Sequence, residues 1–363
     1  MMDFCQRLSL CVPQASSLEV ASMWINKTYA ILALSLFPSM VLHAEQETSA
    51  AEVYEVGNMS PEKAFATGRL LRAQYKNMES RPYLQYAADN DNSDAAFLYA
   101  MELSNYKTTI RTPPEAREYL LKAAELGNRR AMKHLYTDAK WLRDRDVQYW
   151  KSQYYDSLIR LGRDDPAQAT YELAQFYKGM DNEMYSYYLD KAVSFNHPRA
   201  LMDKAKQVQE GGGLFLMPGE RETKVRELYL AAAKTNYIPA MRRYIGILES
   251  KGRFEDAYQW RLMALEQGDI TSLATVVKIL LGDSASYYFV TPDRIKAQAY
   301  LDLYLSAAGT ERMQSLYSIL ELEEESLAGK MSEEEKAQAN GIFVNYKNSL
   351  NFYYHDDVFW DIN

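Results

Sequence analysis

Downstream of Ala44 the sequence holds three histidines, His134, His197 and His355, and no two of them stand four residues apart. A helical zinc-protease site needs two imidazoles at i and i+4 on one face, so that chemistry is absent from the pattern. Ser284 lies in "LGDSAS" (281–286), which lacks the second glycine of a nucleophile elbow and reads as a loop serine. The run "EGGGLFLMPGE" (210–220) is rich in glycine but has no Gly-Lys-Ser/Thr to cradle a phosphate. The acidic stretch "ELEEESLAGKMSEEEK" (321–336) offers many carboxylates, which on a helix are ordinarily a solvated face. No loop shows the Asp-x-Asp-x-Asp-Gly spacing of a calcium site. The expectation is therefore no catalytic residue, no cofactor, no metal ligand and no enzyme.

Aromatic side chains carry more signal. The chain has 29 tyrosines, and part of them crowd into its centre, where Tyr154, Tyr155, Tyr171, Tyr177, Tyr185 and Tyr188 accompany Trp150 and Phe176. Tyrosine packs helices together, but it is also a hot-spot residue of protein interfaces. These six are taken as a candidate partner-binding stripe on a concave face. Phe215 and Leu216 of the glycine-rich segment join them as contacts on a connecting loop. Phe359 and Trp360, in the aromatic and acidic tail "NFYYHDDVFWDIN" (351–363), complete the set. That tail reads first as a cap over the last helix pair and second as a recognition segment.

The elements that must position these residues recur. In "KAAELGNRRAMKHLY" (122–136), Ala123 and Ala124 precede Gly127, and Ala131 follows. The same grammar places Ala87, Ala88, Asp91 and Ala95 upstream. Downstream it gives Ala192, Asn196 and Ala200, then Ala232, Ala233, Asn236 and Ala240, then Ala264, Gly268 and Ser272, with a looser copy at Ala307. Gly, Asn and Asp tolerate the left-handed conformation that ends a helix, and alanine permits two helices to approach closely. Helix starts are marked by Ser60-Pro61, Thr112-Pro113-Pro114-Glu115, Asp165-Pro166, His197-Pro198, Ile238-Pro239, Thr291-Pro292 and the Ser332/Glu335 capping box. No alternating run makes a convincing strand, and "SYYFVTP" (286–292) reads as a loop. The pattern predicts an all-α, right-handed α-solenoid of helix-turn-helix repeats.

"AREYLLKAAELGNRRAMKHLY" (116–136), "RELYLAAAKTNYIPAMRRY" (226–244) and "DRIKAQAYLDLYLSAAG" (293–309) resemble the Sel1-like repeat family, a relative of tetratricopeptide repeats. The resemblance covers about Ser60 to Leu350. It departs in the glycine-containing loop ahead of the second helix, echoed only in "YKGMD" (177–181) and "SKGRFEDA" (250–257). It implies a protein-binding role in a bacterial envelope. Such proteins serve as inhibitors of cell-wall enzymes, as regulators of sensor kinases, or as periplasmic immunity proteins against phospholipase toxins delivered by type VI secretion. It also keeps open a scaffold and a cell-wall hydrolase built on groove carboxylates.

Lys27 and the apolar run "TYAILALSLFPSMVL" (28–42), ending near Ala44, read as a signal peptide, with Met23 an alternative start and an uncleaved anchor the competing reading. Both cysteines, Cys5 and Cys11, precede Ala44, which suits export to the periplasm without disulfides. The organisation expected is a signal peptide (1–44), a flexible linker (45–59), N-terminal repeats (60–210), a Gly-rich loop (211–220), C-terminal repeats with a terminal helix (221–350) and the tail (351–363). A net charge of −8 argues against nucleic acid and favours a protein partner, a basic or toxic effector among the candidates. No stable membrane span is expected once the signal is removed.

Overall fold

The computed structural model describes residues 56–105 and 112–355. The signal-peptide segment, Met23, most of the linker, and Phe359 and Trp360 lie outside the described residues. Among the described residues there are sixteen α-helices and no strand, only an isolated parallel bridge between Asp269 and Tyr353.

The helices run as α1 Pro61–Ala73, α2 Asn77–Asp89, α3 Ser93–Asn105, α4 Pro114–Glu125, α5 Arg129–Thr137, α6 Asp144–Asp164, α7 Pro166–Tyr177 and α8 Asn182–Ser194. They continue as α9 Pro198–Gln209, α10 Glu220–Ala233, α11 Ile238–Ser250, α12 Phe254–Glu266, α13 Ile270–Leu280, α14 Arg294–Ala307, α15 Gln314–Ala328 and α16 Glu333–Ser349. Consecutive helices pack as seven hairpins from α1/α2 to α13/α14, and α15 and α16 pack on α14. This is an all-α solenoid. The 286–292 segment is a loop opened by a short 3₁₀ turn at Ala285–Tyr287.

The recurring grammar has one local mechanism. All five turn residues, Asp91, Gly127, Asn196, Asn236 and Gly268, take positive φ. After four of them comes a residue whose backbone N–H donates to the anchor alanine five positions earlier: Asn92 to Ala87, Asn128 to Ala123, His197 to Ala192 and Asp269 to Ala264. The same four side chains then accept from the backbone N–H three residues ahead, capping α3, α5, α9 and α13. One residue closes a helix and opens the next, which forces a sharp reversal. The alanines at 87, 88, 95, 123, 124, 131, 192, 200, 232, 233, 240 and 264 are at most 1% exposed, so a larger side chain at any of them would force the helices apart.

Two expected starts differ. Helix α4 begins at Pro114 with Pro113 as an uncapped N-cap, so Thr112 and Glu115 form no capping box. Thr291-Pro292 precedes α14 instead of opening it, because Asp293 takes the cap and accepts from Lys296. The Ser332/Glu335 box is present on α16. Segment 211–220 joins α9 to α10, which pack on each other, and their core continues through α11 and α12.

The tail supplies a contact that the repeats alone do not. Phe352 and Tyr354 are buried with Tyr300 and Tyr304 of α14, and the Tyr304 and Tyr354 hydroxyls stand 2.8 Å apart. The same tail reaches the first hairpin. Tyr354 N–H donates to Ala73 O at 2.9 Å, Gln74 Nε2 donates to Phe352 O at 2.8 Å, and the rings of Tyr75 and Tyr354 stack at 4.2 Å. Gly309 N–H donates to Gln74 O at 2.6 Å, and Lys76 Nζ to Ser306 O at 2.9 Å. Residues 351–355 therefore pack on the last helices and also join them to the first pair.

Candidate protein-binding cleft on the first helices

Each hairpin has a first helix (α3, α5, α7, α9), and these four build a cleft of about 400 Å³. Arg129, Arg130, Lys133, His134 and Thr137 stand at i, i+1, i+4, i+5 and i+8 along α5, which is one helical face. Gln168, Tyr171, Glu172 and Gln175 stand at i, i+3, i+4 and i+7 along α7 and face them. Phe97 of α3 and Arg199 of α9 close the ends, and Tyr154 of α6 lies behind.

Glu172 anchors this surface. Its Oε2 accepts from Tyr154 Oη at 2.9 Å, and its Oε1 accepts from Gln168 Nε2 at 2.8 Å and pairs with Arg129 at 3.4 Å. Gln168 Oε1 in turn accepts from His197 Nε2 at 2.9 Å, while His197 Nδ1 accepts from the Ala200 N–H at 3.3 Å. Both imidazole nitrogens are committed, with the proton on Nε2. Burial, helped by the Arg199 charge, pulls the His197 pKa down to about 4. Tyr171 stacks on this ring at 4.4 Å, which fixes the tyrosine against the cleft wall.

The cations are the cleft's distinctive chemistry. Burial lowers Arg130 to about 10, against raising influences from Asp94 and Glu172. Burial likewise lowers Lys133. Among the described residues Lys133 Nζ has no hydrogen-bond acceptor or ion-pair partner, and the buried Arg129 Nε has no acceptor. Arg199 Nε donates to Tyr237 Oη at 3.2 Å. A net charge of −8 for the chain thus coexists with a local excess of Lys and Arg, the reverse of the surface on which a basic partner was expected.

Of the proposed tyrosine stripe, only Tyr154 and Tyr171 reach this cleft, and Tyr154 is 1% exposed. Tyr155, Tyr177 and Tyr188 form a half-buried cluster around Phe176, whose ring Tyr154 also contacts, with Tyr155 5.3 Å from Phe176 and the Tyr177 and Tyr188 rings stacked at 5.7 Å. Tyr185 packs on the small core of Ala174, Leu189, Ala192 and Ala200. Phe215 lies under the Arg221 guanidinium at 4.9 Å, so it is a loop anchor, whereas Leu216 is 81% exposed. Sequence reasoning missed Arg129, Arg130, Lys133 and Arg199. The signal was present in "RRAMKHLY", whose basic residues repeat at helical spacing.

A bank of helix hairpins presenting one continuous side-chain surface is the architecture of an α-solenoid repeat protein. Several solved structures are similar to the chain. One is a protective antigen of uropathogenic Escherichia coli displaying an SLR fold, at 16% identity, covering 89% of this chain and 66% of that one, with a TM-score of 0.38. Another is an immunity protein of Pseudomonas aeruginosa, at 18% identity, covering 66% and 82%, with a TM-score of 0.38. A third is a Sel1 repeat protein from Oxalobacter formigenes, at 15% identity, covering 62% and 95%, with a TM-score of 0.35. The helix hairpins themselves define the fold. No family model matches the chain. No curated protein matches it either. Among the described residues no helix is long and apolar enough to cross a membrane.

Proposed function

We propose that this chain is an exported, Sel1-like protein-binding repeat that inhibits a single partner, in the manner of a periplasmic immunity protein against a toxin such as a type VI secreted phospholipase. The observation that supports this most is the cleft on α3, α5, α7 and α9: Glu172, Gln168 and Tyr171 of its wall, with His197, are held in place by contacts that form without a partner. A surface organised in advance loses little entropy on binding. A hydrolase reading finds no favouring observation, because the cleft's Glu172 is committed to Tyr154, Gln168 and Arg129.

The test is a pull-down with tagged residues 45–363 on envelope extract that includes products of neighbouring genes, followed by assay of what is captured. A stoichiometric secreted toxin or lytic enzyme, silenced on binding, is the expected result. Several assembly components would replace the inhibitor with a scaffold, and no partner at all would end the binding reading.

A further inference from the structure

The cleft on the first helices contains cations that the fold itself leaves under-compensated. Lys133 Nζ has no partner among the described residues, and Arg129 Nε is buried without an acceptor. A cation partly withdrawn from water favours an anion that answers it. Its acids are fewer: Glu172 is occupied by three donors, and Asp138 lies beside His134 at 3.6 Å. The volume of about 400 Å³ equals roughly a dozen waters' share of liquid, far more than one inorganic anion fills. Tyr171, locked on His197, adds an aromatic wall beside the charges.

We propose that this cleft binds a segment of a partner protein that carries Asp or Glu carboxylates next to an aromatic or aliphatic residue. Lys133 and Arg130 take the carboxylates, and the apolar neighbour lies on Tyr171. The proposal rests on the protein-binding reading above and narrows it to an acidic epitope. Arg130 and Arg199 line the same cleft and add guanidinium charge beside the Lys133 ammonium. The surrounding acidic surface repels such a segment everywhere else, so recognition is confined to the cleft.

The experiment measures fluorescence anisotropy of a fluorescein-labelled peptide of alternating glutamate and phenylalanine with the full chain at low salt. The wild-type protein binds it, and raising the salt weakens binding. Lys133→Met and, separately, Arg130→Gln weaken binding at least tenfold with melting temperature and helical circular dichroism retained. Lys133→Gln serves as a second variant should the first not fold, and the distant Lys336→Met leaves affinity unchanged. Equal affinity in the cleft variants overturns the proposal. So does equal binding of a lysine–phenylalanine peptide, or displacement by inorganic phosphate at the concentration at which free glutamate peptide displaces, which would make the cleft a simple anion site. A carbodiimide cross-link from Lys133 to Asp356, Asp357 or Asp361 would make the chain's own tail the occupant and would also overturn it. Capture of a partner protein equally well by Lys133→Met would sink this inference and leave the protein-binding reading standing.

Discussion

His197 shows how one residue can serve three structures at once. It ends the turn after α8, caps α9 and holds Gln168 of α7. The cap requires the neutral ring, because Nδ1 must carry no proton to accept from the Ala200 N–H. Its folded-state pKa of about 4 lies below the ordinary 6.5, so the unfolded chain binds the extra proton between those values. The stability contributed is complete above about pH 6.5 and is lost as the pH falls toward 4, by at most ~3 kcal/mol. Thermal unfolding from pH 7 to 4 should show this slope, and His197→Asn, which keeps an N-cap acceptor, should remove it; an unchanged slope would assign it to other groups. Glu102 makes a second residue-scale case. It is fully buried, with Arg72 Nε at 2.6 Å and Asn77 Nδ2 at 2.8 Å. Glu102→Ala removes this carboxylate from the mostly buried Arg72 side chain, and denaturant unfolding should register a loss of about 3–5 kcal/mol.

At the scale of the element, the turn between hairpins decides where the next helix points. Asn128 caps α5 and also donates from Nδ2 to Asp94 at 2.7 Å, tying α5 to α3. The same tie recurs from His197 to Gln168 and from Asp269 to Arg242. Asn128→Ala should therefore cost about 1–2 kcal/mol in melting or denaturant experiments, more than a surface cap alone. Asn236 holds φ 62 with no such tie given to it. Asn236→Gly should be neutral or slightly stabilising, whereas Asn236→Val should cost about 1–2 kcal/mol. Equal effects of the two substitutions would mean that the left-handed backbone is not what selects the residue.

For the whole molecule, the consequential contact is between the ends of the array. Residues 351–355 and the Ala308–Gly309 corner seat against α1 and the α1–α2 turn. A solenoid held only by neighbouring repeats frays from its termini. Here the first hairpin is held from a second side. A Cβ at Gly309 would lie 2.3 Å from Tyr75 O, so Gly309→Ala must push the corner away. Truncation after Leu350 removes the Tyr354 stack and both hydrogen bonds. Each change should speed amide hydrogen exchange across 61–89, with little effect on α6–α9. Exchange rising evenly along the chain would show that the ends do not act as a local latch.

The sequence by itself determined the elements. Alanine spacing, the left-handed turn residues and the prolines at helix starts act through contacts within about five residues, so they are readable without coordinates. They gave the all-α array and the turn positions at Asp91, Gly127, Asn196, Asn236 and Gly268. They also gave most caps, failing at Thr112 and Thr291, where a neighbouring residue took the role. Which tyrosines share a face was less legible. Adjacent helical residues diverge by about 100°, so Tyr154 enters the core while Tyr155 joins the Phe176 cluster. Only the tertiary structure gathered Arg129, Arg130, Lys133 and Arg199 into one cleft, because residues some 70 positions apart meet through the stacking of four hairpins. Only it brought residues 351–355 to α1, since the summed rotation of every hairpin decides where the last one stands, and no local pattern records that sum.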